Sequence, residues 1–267
     1  MEDYKKIIGK FPLWREEKLR AIKRFAPAEV FFYRSTVWYH SLRVYFITRE
    51  LSQIACNTIQ NYDSDKAEIL ALVHDDAEMV TGDVSLASKD SMSNNELLEV
   101  HNNEANAIKA LVEDEDTPIT LSLGRLCYFY RDLLNWALHK NCVEAQVVSY
   151  ADKLDAWCES LHDLFAGNFL TIRPVMNYSY RLKEFKTKYP LLEPLLNYRE
   201  HPFTNTGLRL DPTRFYRKNY IHFGKPHSHE SIKKDTEIIF YNLWRKLIVE
   251  NLGEEGVRLL TLQKEFL

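Results

Sequence analysis

The stretch LALVHDDAEMVTGD, residues 70–83, places one histidine and four acidic residues in a segment whose leucines and valines favour burial. Apolar residues at helical spacing, and the glycine near its end, predict a helix from about residue 65. On that helix His74 and Glu78 are four residues apart and share a face, with Asp75 beside them. Converging imidazole and carboxylate groups indicate a metal site, although a solvent-exposed acidic stripe beside a hydrogen-bonded histidine gives the same pattern.

Helical periodicity dominates wherever a period is visible. In VWYHSLRVYFITRELSQIA, residues 37–55, apolar side chains recur at spacings of three and four. Further helices are predicted at roughly 95–114, 119–140, 143–168, 178–197 and 233–265 from the same spacing. No stretch alternates convincingly as a strand does, and the chain contains only 8 glycines and 9 prolines. The predicted fold class is therefore all-α.

The simplest organisation of the 267 residues is a single domain with a C-terminal extension. Residues 1–197 contain the predicted helical core. Residues 198–267 begin with a long stretch rich in Pro, Gly, Asn and Thr, which has no period and predicts a loop excursion, and they end in a helix. We expect this extension to pack on the same domain.

Charge and composition exclude several classes of partner. The net charge is −3, from 35 basic and 38 acidic residues, so we expect no stable binding of nucleic acid. The sequence lacks a run of about 18 apolar residues and a signal-peptide pattern at its start, which predicts a cytoplasmic protein that does not enter a membrane. Four cysteines without CxxC spacing are expected to be reduced and buried.

A catalytic metal site needs about four protein ligands, more than one helix supplies. His40 lies in WYHSLRVYF, residues 38–46, and Asp152 lies in VVSYADKLDAW, residues 147–157. Each is flanked by apolar residues that would turn it toward the interior of a helical bundle. Taken alone, His40 also fits a hydrogen-bonded core histidine, and Asp152 fits a helix cap or an exposed acid.

The order His40, His74-Asp75, Asp152 resembles that of the HD-domain metal-dependent phosphohydrolases. HDDAEMVTGD is similar to the HD-x-x-E-x-x-x-G-D signature of the bacterial 5'-deoxynucleotidase branch, and YADKLDA is similar to the motif of the last ligand. The resemblance covers residues from about 20 to 165. It implies a globular helical bundle, often dimeric, in which these four residues hold one divalent transition metal (Mn, Co, Fe, Ni or Zn) between helices.

The resemblance also implies roles for two acidic residues of the signature. Glu78 matches the glutamate that suits general acid/base work on the attacking water or on the leaving oxygen. Asp83 matches an aspartate that contacts the sugar hydroxyl of the substrate. The residues themselves leave open a solvated helix acid for Glu78 and a turn-forming residue for Asp83.

A phosphate dianion needs a cationic clamp, preferably an arginine. In the related enzymes an Arg-Trp pair precedes the first histidine, and Arg24-Phe25 stands at a similar separation here. Arg24 is therefore the first candidate and Arg34 the second, while Phe25 is a candidate for stacking on a base or sugar. Lys89, in a loop expected over the site, is a further candidate for the phosphate. Either arginine also fits a surface salt bridge.

The chain departs from the pattern of its relatives at two positions. Tyr39 stands where they usually have a glutamate before the first histidine, and Ser85 stands where they often have a proline. These changes affect the expected substrate contacts more than the expected metal ligands.

The leading functional prediction is metal-dependent removal of phosphate from nucleoside or deoxynucleoside 5'-monophosphates, with a possible homodimer as the working assembly. An alarmone pyrophosphohydrolase would have HD-x-x-E-D, and Met79 follows Glu78 instead. A dNTP triphosphohydrolase needs more basic residues than Arg24, Arg34 and Lys89 supply. A non-catalytic nucleotide-binding HD module remains the alternative from another class.

Overall fold

The computed structural model describes residues 3–25, 36–113, 119–165 and 171–196. Arg34, the predicted helix at 233–265 and the C-terminal extension lie outside the described residues. The division into a core and an extension therefore stays a prediction.

The described part of the chain is helical apart from one small hairpin, which confirms the all-α prediction. No helix in this part is both long and apolar enough to span a membrane. The elements are α1 (Asp3–Ile8), α2 (Leu13–Ala21), α3 (Val37–Thr58), α4 (Ser64–Val73), α5 (Glu78–Thr81), α6 (Leu86–Asp90), α7 (Asn94–Glu113), β1 (Thr120–Leu121), β2 (Tyr128–Phe129), α8 (Tyr130–His139), α9 (Val143–Phe165), α10 (Ile172–Lys188), a 3₁₀ turn (Pro190–Leu192) and α11 (Glu193–Leu196).

Three helices, α3, α4 and α9, pack against one another and form the centre of the bundle. The sequence of α4 explains its central place, because Ile69, Leu70 and Leu72 are each at most 2% exposed. Burial of such a side chain contributes about 1.5–3 kcal/mol. Helix α10 packs on the outer side of α9, and α7 packs on α8. The four predicted metal ligands lie on α3, on α9 and directly after α4.

The helix predicted from residue 65 does not continue to Gly82, because it ends at Val73 and a tight turn follows. In this turn the N–H of Asp76 donates to the carbonyl of Val73 at 3.0 Å, and the N–H of Glu78 donates to that of Asp75 at 2.9 Å. Such three-residue spacing is tighter than that of an α-helix and rotates successive side chains to different sides.

The helix predicted at 119–140 is wrong over its first half. Residues 120–121 and 128–129 form an antiparallel hairpin, and α8 begins only at Tyr130. The physical reason lies in the local sequence, since Ser122 and Gly124 favour a turn and Thr, Tyr and Phe favour strands.

The expectation for the cysteines was also partly wrong. All four are free thiols, as predicted, but only Cys158 is buried. Cys142 is half-buried, and Cys56 and Cys127 are exposed.

Candidate active site

Four donor atoms from three helical segments converge at one point of the bundle. The Nε2 atom of His40, on α3, lies 3.2 Å from Oδ1 of Asp152, on α9. The same nitrogen lies 3.3 Å from Oδ2 of Asp75 and 3.3 Å from Nε2 of His74, both just after α4. His40 is fully buried, whereas the other three are partly exposed, so the cluster is open on one side.

Hydrogen bonds on the far side of each imidazole ring fix which nitrogen faces the cluster. The Nδ1–H of His74 donates to the carbonyl oxygen of Ala71 at 2.9 Å, because a carbonyl only accepts. His40 Nδ1 lies 2.7 Å from Oδ2 of Asp155, an ionised carboxylate that likewise accepts. In the neutral imidazoles both Nε2 lone pairs therefore face each other and two carboxylates. Such a set of nitrogen and oxygen donors fits a divalent transition metal.

The charges that crowd together in the donor cluster shift the pKa values of His40 and Asp75. Burial and Arg24 lower the pKa of His40, but hydrogen bonds to Asp152, Asp155 and Asp75 outweigh them and raise it to about 10. Burial raises the pKa of Asp75, yet the neighbouring imidazoles hold it well below its usual range. The negative charge of these carboxylates therefore favours a positive charge at the centre of the cluster.

The outer support of His40 comes from Asp155, which the sequence analysis missed. Burial raises the pKa of Asp155, but Arg43 and His40 outweigh it and hold the pKa at about 2. Arg43 donates to both oxygens of this carboxylate, at 2.8 and 3.0 Å, and also to Glu159 at 2.6 Å. The available signal was the spacing, because Asp155 follows Asp152 by three residues on α9 and Glu159 follows by four more.

The turn that carries His74 and Asp75 is anchored on its other side by Asp76. Both oxygens of this buried carboxylate accept from Arg15 at 2.7 Å, and one also accepts from Tyr130 at 2.6 Å. The two neighbouring aspartates therefore differ in role. Asp75 faces the donor cluster, and Asp76 anchors the turn that carries His74 and Asp75.

A cavity of about 420 Å³ opens beside the donor cluster, a size in the range of small-molecule sites. It is lined by four of the predicted site residues outside the metal ligands, namely Arg24, Glu78, Asp83 and Lys89. Two buried polar atoms here, Nε of Arg24 and Oε2 of Glu78, have no hydrogen-bond partner among the described residues. Buried polar groups are normally bonded, so both atoms are available to a ligand.

Arg24 lies close to two carboxylates of the donor cluster, and the pKa of Glu78 differs strongly from its usual value. One terminal nitrogen of Arg24 lies 3.3 Å from Asp75 and the other lies 3.9 Å from Asp152, so the guanidinium sits directly beside the donors. The pKa of Glu78 is raised well above its usual value, first by burial and then by the negative Asp75 and Asp83. The pKa of Asp83 is raised too, mainly by burial.

Of the two remaining candidates for substrate contact, Lys89 lines the cavity and Phe25 does not. Lys89 donates to Glu104 at 3.1 Å, which holds its ammonium group at the cavity wall. Phe25 is buried and packs edge-on against Tyr178, with ring centroids 6.1 Å apart. Because Tyr178 rather than Phe25 lines the cavity, this position does not favour direct stacking of Phe25 on a substrate.

The structure also brings basic residues into the cavity that the sequence analysis did not consider. They share no motif and come from three separate helices or their ends: Lys140, Lys153, Arg181 and Lys188. The expectation that only Arg24, Arg34 and Lys89 supply positive charge near the site was therefore wrong.

Comparisons with known proteins agree on the fold and the family. A family model described as 5'-deoxynucleotidase YfbR-like matches residues 15–188. The 4'-phosphooxetanocin A phosphatase of Priestia megaterium is 29% identical over 184 residues, which are 67% of this chain and 87% of that protein.

Two solved structures share the fold. A conserved hypothetical protein from Pyrococcus furiosus has a TM-score of 0.51 and 22% identity, and the match covers 68% of this chain and 94% of that chain. The PH0347 protein from Pyrococcus horikoshii has a TM-score of 0.52 and 23% identity, and the match covers 71% and 96% of the two chains.

Proposed function

Because the chain belongs to the YfbR-like 5'-deoxynucleotidase family of the HD superfamily, we propose that it removes phosphate from nucleoside or deoxynucleoside 5'-monophosphates in a metal-dependent reaction. The observation that carries the proposal is that three donor atoms, from His74, Asp75 and Asp152, lie within 3.3 Å of a fourth, His40 Nε2, beside a cavity. The Priestia megaterium relative, named as a phosphatase of a phosphorylated compound, supports the same class of reaction.

His40, His74, Asp75 and Asp152 would hold the metal, and their partly exposed side leaves room for substrate. A divalent transition metal held there would supply a Lewis acid for the phosphoryl group and would make a bound water more acidic. Two imidazoles and two carboxylates suit Mn, Co, Fe, Ni or Zn better than Mg or Ca.

Arg24 would orient the phosphate. Its unbonded Nε–H and its terminal nitrogens form a planar donor group, which suits two phosphate oxygens at once. The carboxylates of Asp75 and Asp152 hold the guanidinium next to the metal ligands, so a phosphate that it binds lies at the reaction centre. Lys89, which lies on the short helix α6 and not in the loop expected from the sequence, adds a positive charge at the cavity wall.

Glu78 would act as the general acid/base. Burial and the negative Asp75 and Asp83 raise its pKa, which favours the protonated carboxyl, and a proton held there suits donation to the leaving alcohol oxygen. Asp83, in the same cavity, would accept a hydrogen bond from the sugar hydroxyl. Glu78 and Asp83 would thus contact the nucleoside part of the substrate, at its leaving oxygen and at its sugar hydroxyl.

The direct test is phosphate release from ribo- and deoxyribonucleoside mono-, di- and triphosphates after chelation and separate re-addition of Mn, Co, Ni, Zn and Mg. We expect metal-dependent release from the monophosphates and none after chelation. Release from triphosphates alone would favour the triphosphohydrolase alternative. Stoichiometric metal binding without turnover of any of these compounds would favour a binding module.

Matched variants connect the activity with the donor cluster. We expect His74→Ala and Asp75→Ala to lose both bound metal and turnover while the helical circular dichroism spectrum is kept. His139→Ala is the control, because His139 is exposed at the end of α8 and lies outside the cluster. Turnover that persists in a metal-free His74→Ala protein would contradict the mechanism.

The proposal also includes a cytoplasmic location and a homodimer. Multi-angle light scattering of the purified full chain measures the mass of the assembly, and a monomer at working concentration would contradict the dimer.

A further inference from the structure

Tyr178, on α10, is a cavity residue that has no task in the hydrolysis described above. It lines the cavity together with Arg24, Asp83 and Asp152, and only 7% of its surface is exposed. Helix α10 packs against α9, which carries Asp152, and it supplies none of the residues assigned to the reaction so far. Tyr178 therefore brings a side chain from a further helix to the same site.

Contacts with Phe25 place Tyr178 close to Arg24. The ring centroids of Tyr178 and Phe25 lie 6.1 Å apart, and Cζ of Arg24 lies 5.8 Å from the centroid of the same Phe25 ring. Phe25 is buried and has a φ of 53°, in the left-handed region that bulky residues rarely adopt. Such strain persists only where the surrounding contacts hold it, and it clusters at functional sites. Phe25 thus packs beside both the guanidinium group and the tyrosine ring.

The hydroxyl group of Tyr178 has no hydrogen-bond partner among the described residues. A buried tyrosine usually finds a partner for this group. Because Tyr178 lines the cavity, its hydroxyl group is available to a ligand there. It joins Nε of Arg24 and Oε2 of Glu78, the two other cavity atoms that lack a partner in this part of the chain.

The surroundings of Tyr178 keep the proton on its hydroxyl group. Burial raises the pKa of Tyr178, Arg24 lowers it, and the negative Asp152 and Asp83 raise it again, so that it lies above its ordinary value. A protonated phenol donates one hydrogen bond, and such a bond is strongest when the acceptor is an anion.

We propose that the Tyr178 hydroxyl group donates a hydrogen bond to the phosphate of the substrate, beside the oxygens that Arg24 binds. This inference rests on the proposed function, in which Arg24 holds the phosphate next to the metal ligands. A phosphate monoester offers three acceptor oxygens, more than one guanidinium group binds. Tyr178 then fixes the orientation of the phosphate without adding charge to the site.

The test uses methylphosphonate, which presents phosphate-like oxygens without a sugar or a base. The full chain, loaded with one equivalent of Mn, is titrated with this probe by isothermal titration calorimetry, as wild type and as Tyr178→Phe. Phenylalanine keeps the ring that packs on Phe25 and removes only the hydroxyl group. A hydrogen bond to a charged group is worth a factor of about ten or more in affinity, so we expect Tyr178→Phe to bind the probe about tenfold or more weakly.

Tyr180→Phe is the matched control, because Tyr180 lies on the same helix, is 57% exposed and does not line the cavity. It should bind methylphosphonate as the wild type does. Competition with a chromophoric chelator and thermal melts should show unchanged metal affinity and folding in both variants. A purely structural role of Tyr178 would change these two measurements and leave the phosphonate affinity of the folded, metal-loaded protein as it is.

Three outcomes would overturn the contact: no binding of methylphosphonate by the wild type, wild-type affinity in Tyr178→Phe, or a loss seen only with a deoxynucleoside that has no phosphate. The last result would assign the hydroxyl group to the sugar. Turnover of deoxynucleoside monophosphates by the same preparation reports separately on the proposed function. Turnover with an unchanged phosphonate affinity in Tyr178→Phe would remove the contact alone. A Tyr178-dependent affinity without turnover would remove the nucleotidase function alone.

Discussion

The hydrogen bond from His40 to Asp155 gives the sharpest prediction about the donor cluster. Oδ2 of Asp155 accepts from His40 at 2.7 Å and from Arg43 at 3.0 Å, while Oδ1 accepts from Arg43 at 2.8 Å. In Asp155→Asn one of these positions becomes an amide N–H₂ group that faces a donor. The negative charge that makes His40 a stronger ligand is lost in either orientation of the amide.

Removal of such an outer partner typically costs a factor of 10 to 100 in metal affinity. Since a factor of ten corresponds to about 1.4 kcal/mol, we expect Asp155→Asn to weaken metal binding by about 1.4–2.8 kcal/mol. Competition against a chromophoric chelator measures the dissociation constant directly. It needs no knowledge of the substrate.

The matched control is Glu159→Gln. Glu159 accepts a hydrogen bond from Arg43 at 2.6 Å and is linked to His40 through Arg43 and Asp155. We therefore expect this variant to lose folding stability but to keep the metal affinity of the wild type. An Asp155→Asn protein that is folded and binds the metal as tightly as the wild type would refute the reasoning. Equal weakening in both variants would show that the effect comes from general loosening of the bundle.

Three further predictions concern the cavity and the turn beside it. Glu78→Gln should keep bound metal and lose a factor of about 10² to 10⁴ in kcat, measured by phosphate release with metal content as the control. Arg24→Lys should raise KM for the monophosphate about tenfold or more, because lysine lacks the planar donor group, and an unchanged KM would contradict the clamp. Asp76→Ala should lower the free energy of unfolding by about 3–5 kcal/mol in denaturant titrations, since it leaves Arg15 buried without its partner. The double variant Arg15→Met/Asp76→Leu should recover most of that loss, and failure to recover would locate the cost elsewhere.

The helices of the bundle centre were predictable because their apolar residues repeat with a helical period. Helix α3 was expected at 37–55 and is observed at Val37–Thr58, and α7 was expected at 95–114 and is observed at Asn94–Glu113. The four proposed metal ligands were found by the order of their motifs, and the structure brings their donor atoms together.

The parts that sequence reasoning missed depend on contacts between residues distant in the chain. Nothing local shows that Asp76 meets Arg15, 61 residues away, and this buried pair holds the turn behind the site. Likewise, Lys140 and Lys188 share no motif and line the same cavity only because α8 and α10 both pack on α9. The hairpin at 120–129 was missed because its strands have two residues each, too short to show an alternation.

The facing Nε2 lone pairs of His40 and His74 have a practical consequence for the choice of metal. Cations that fit these donors bind the folded chain and not the unfolded one, so each raises the melting temperature according to its own affinity. A free metal concentration one hundred times the dissociation constant adds about 2.7 kcal/mol of stability. For a chain of this size that corresponds to an upward shift of roughly 5 to 10 °C. A series of dye-based melts, one per metal, therefore ranks the cations before any substrate is known.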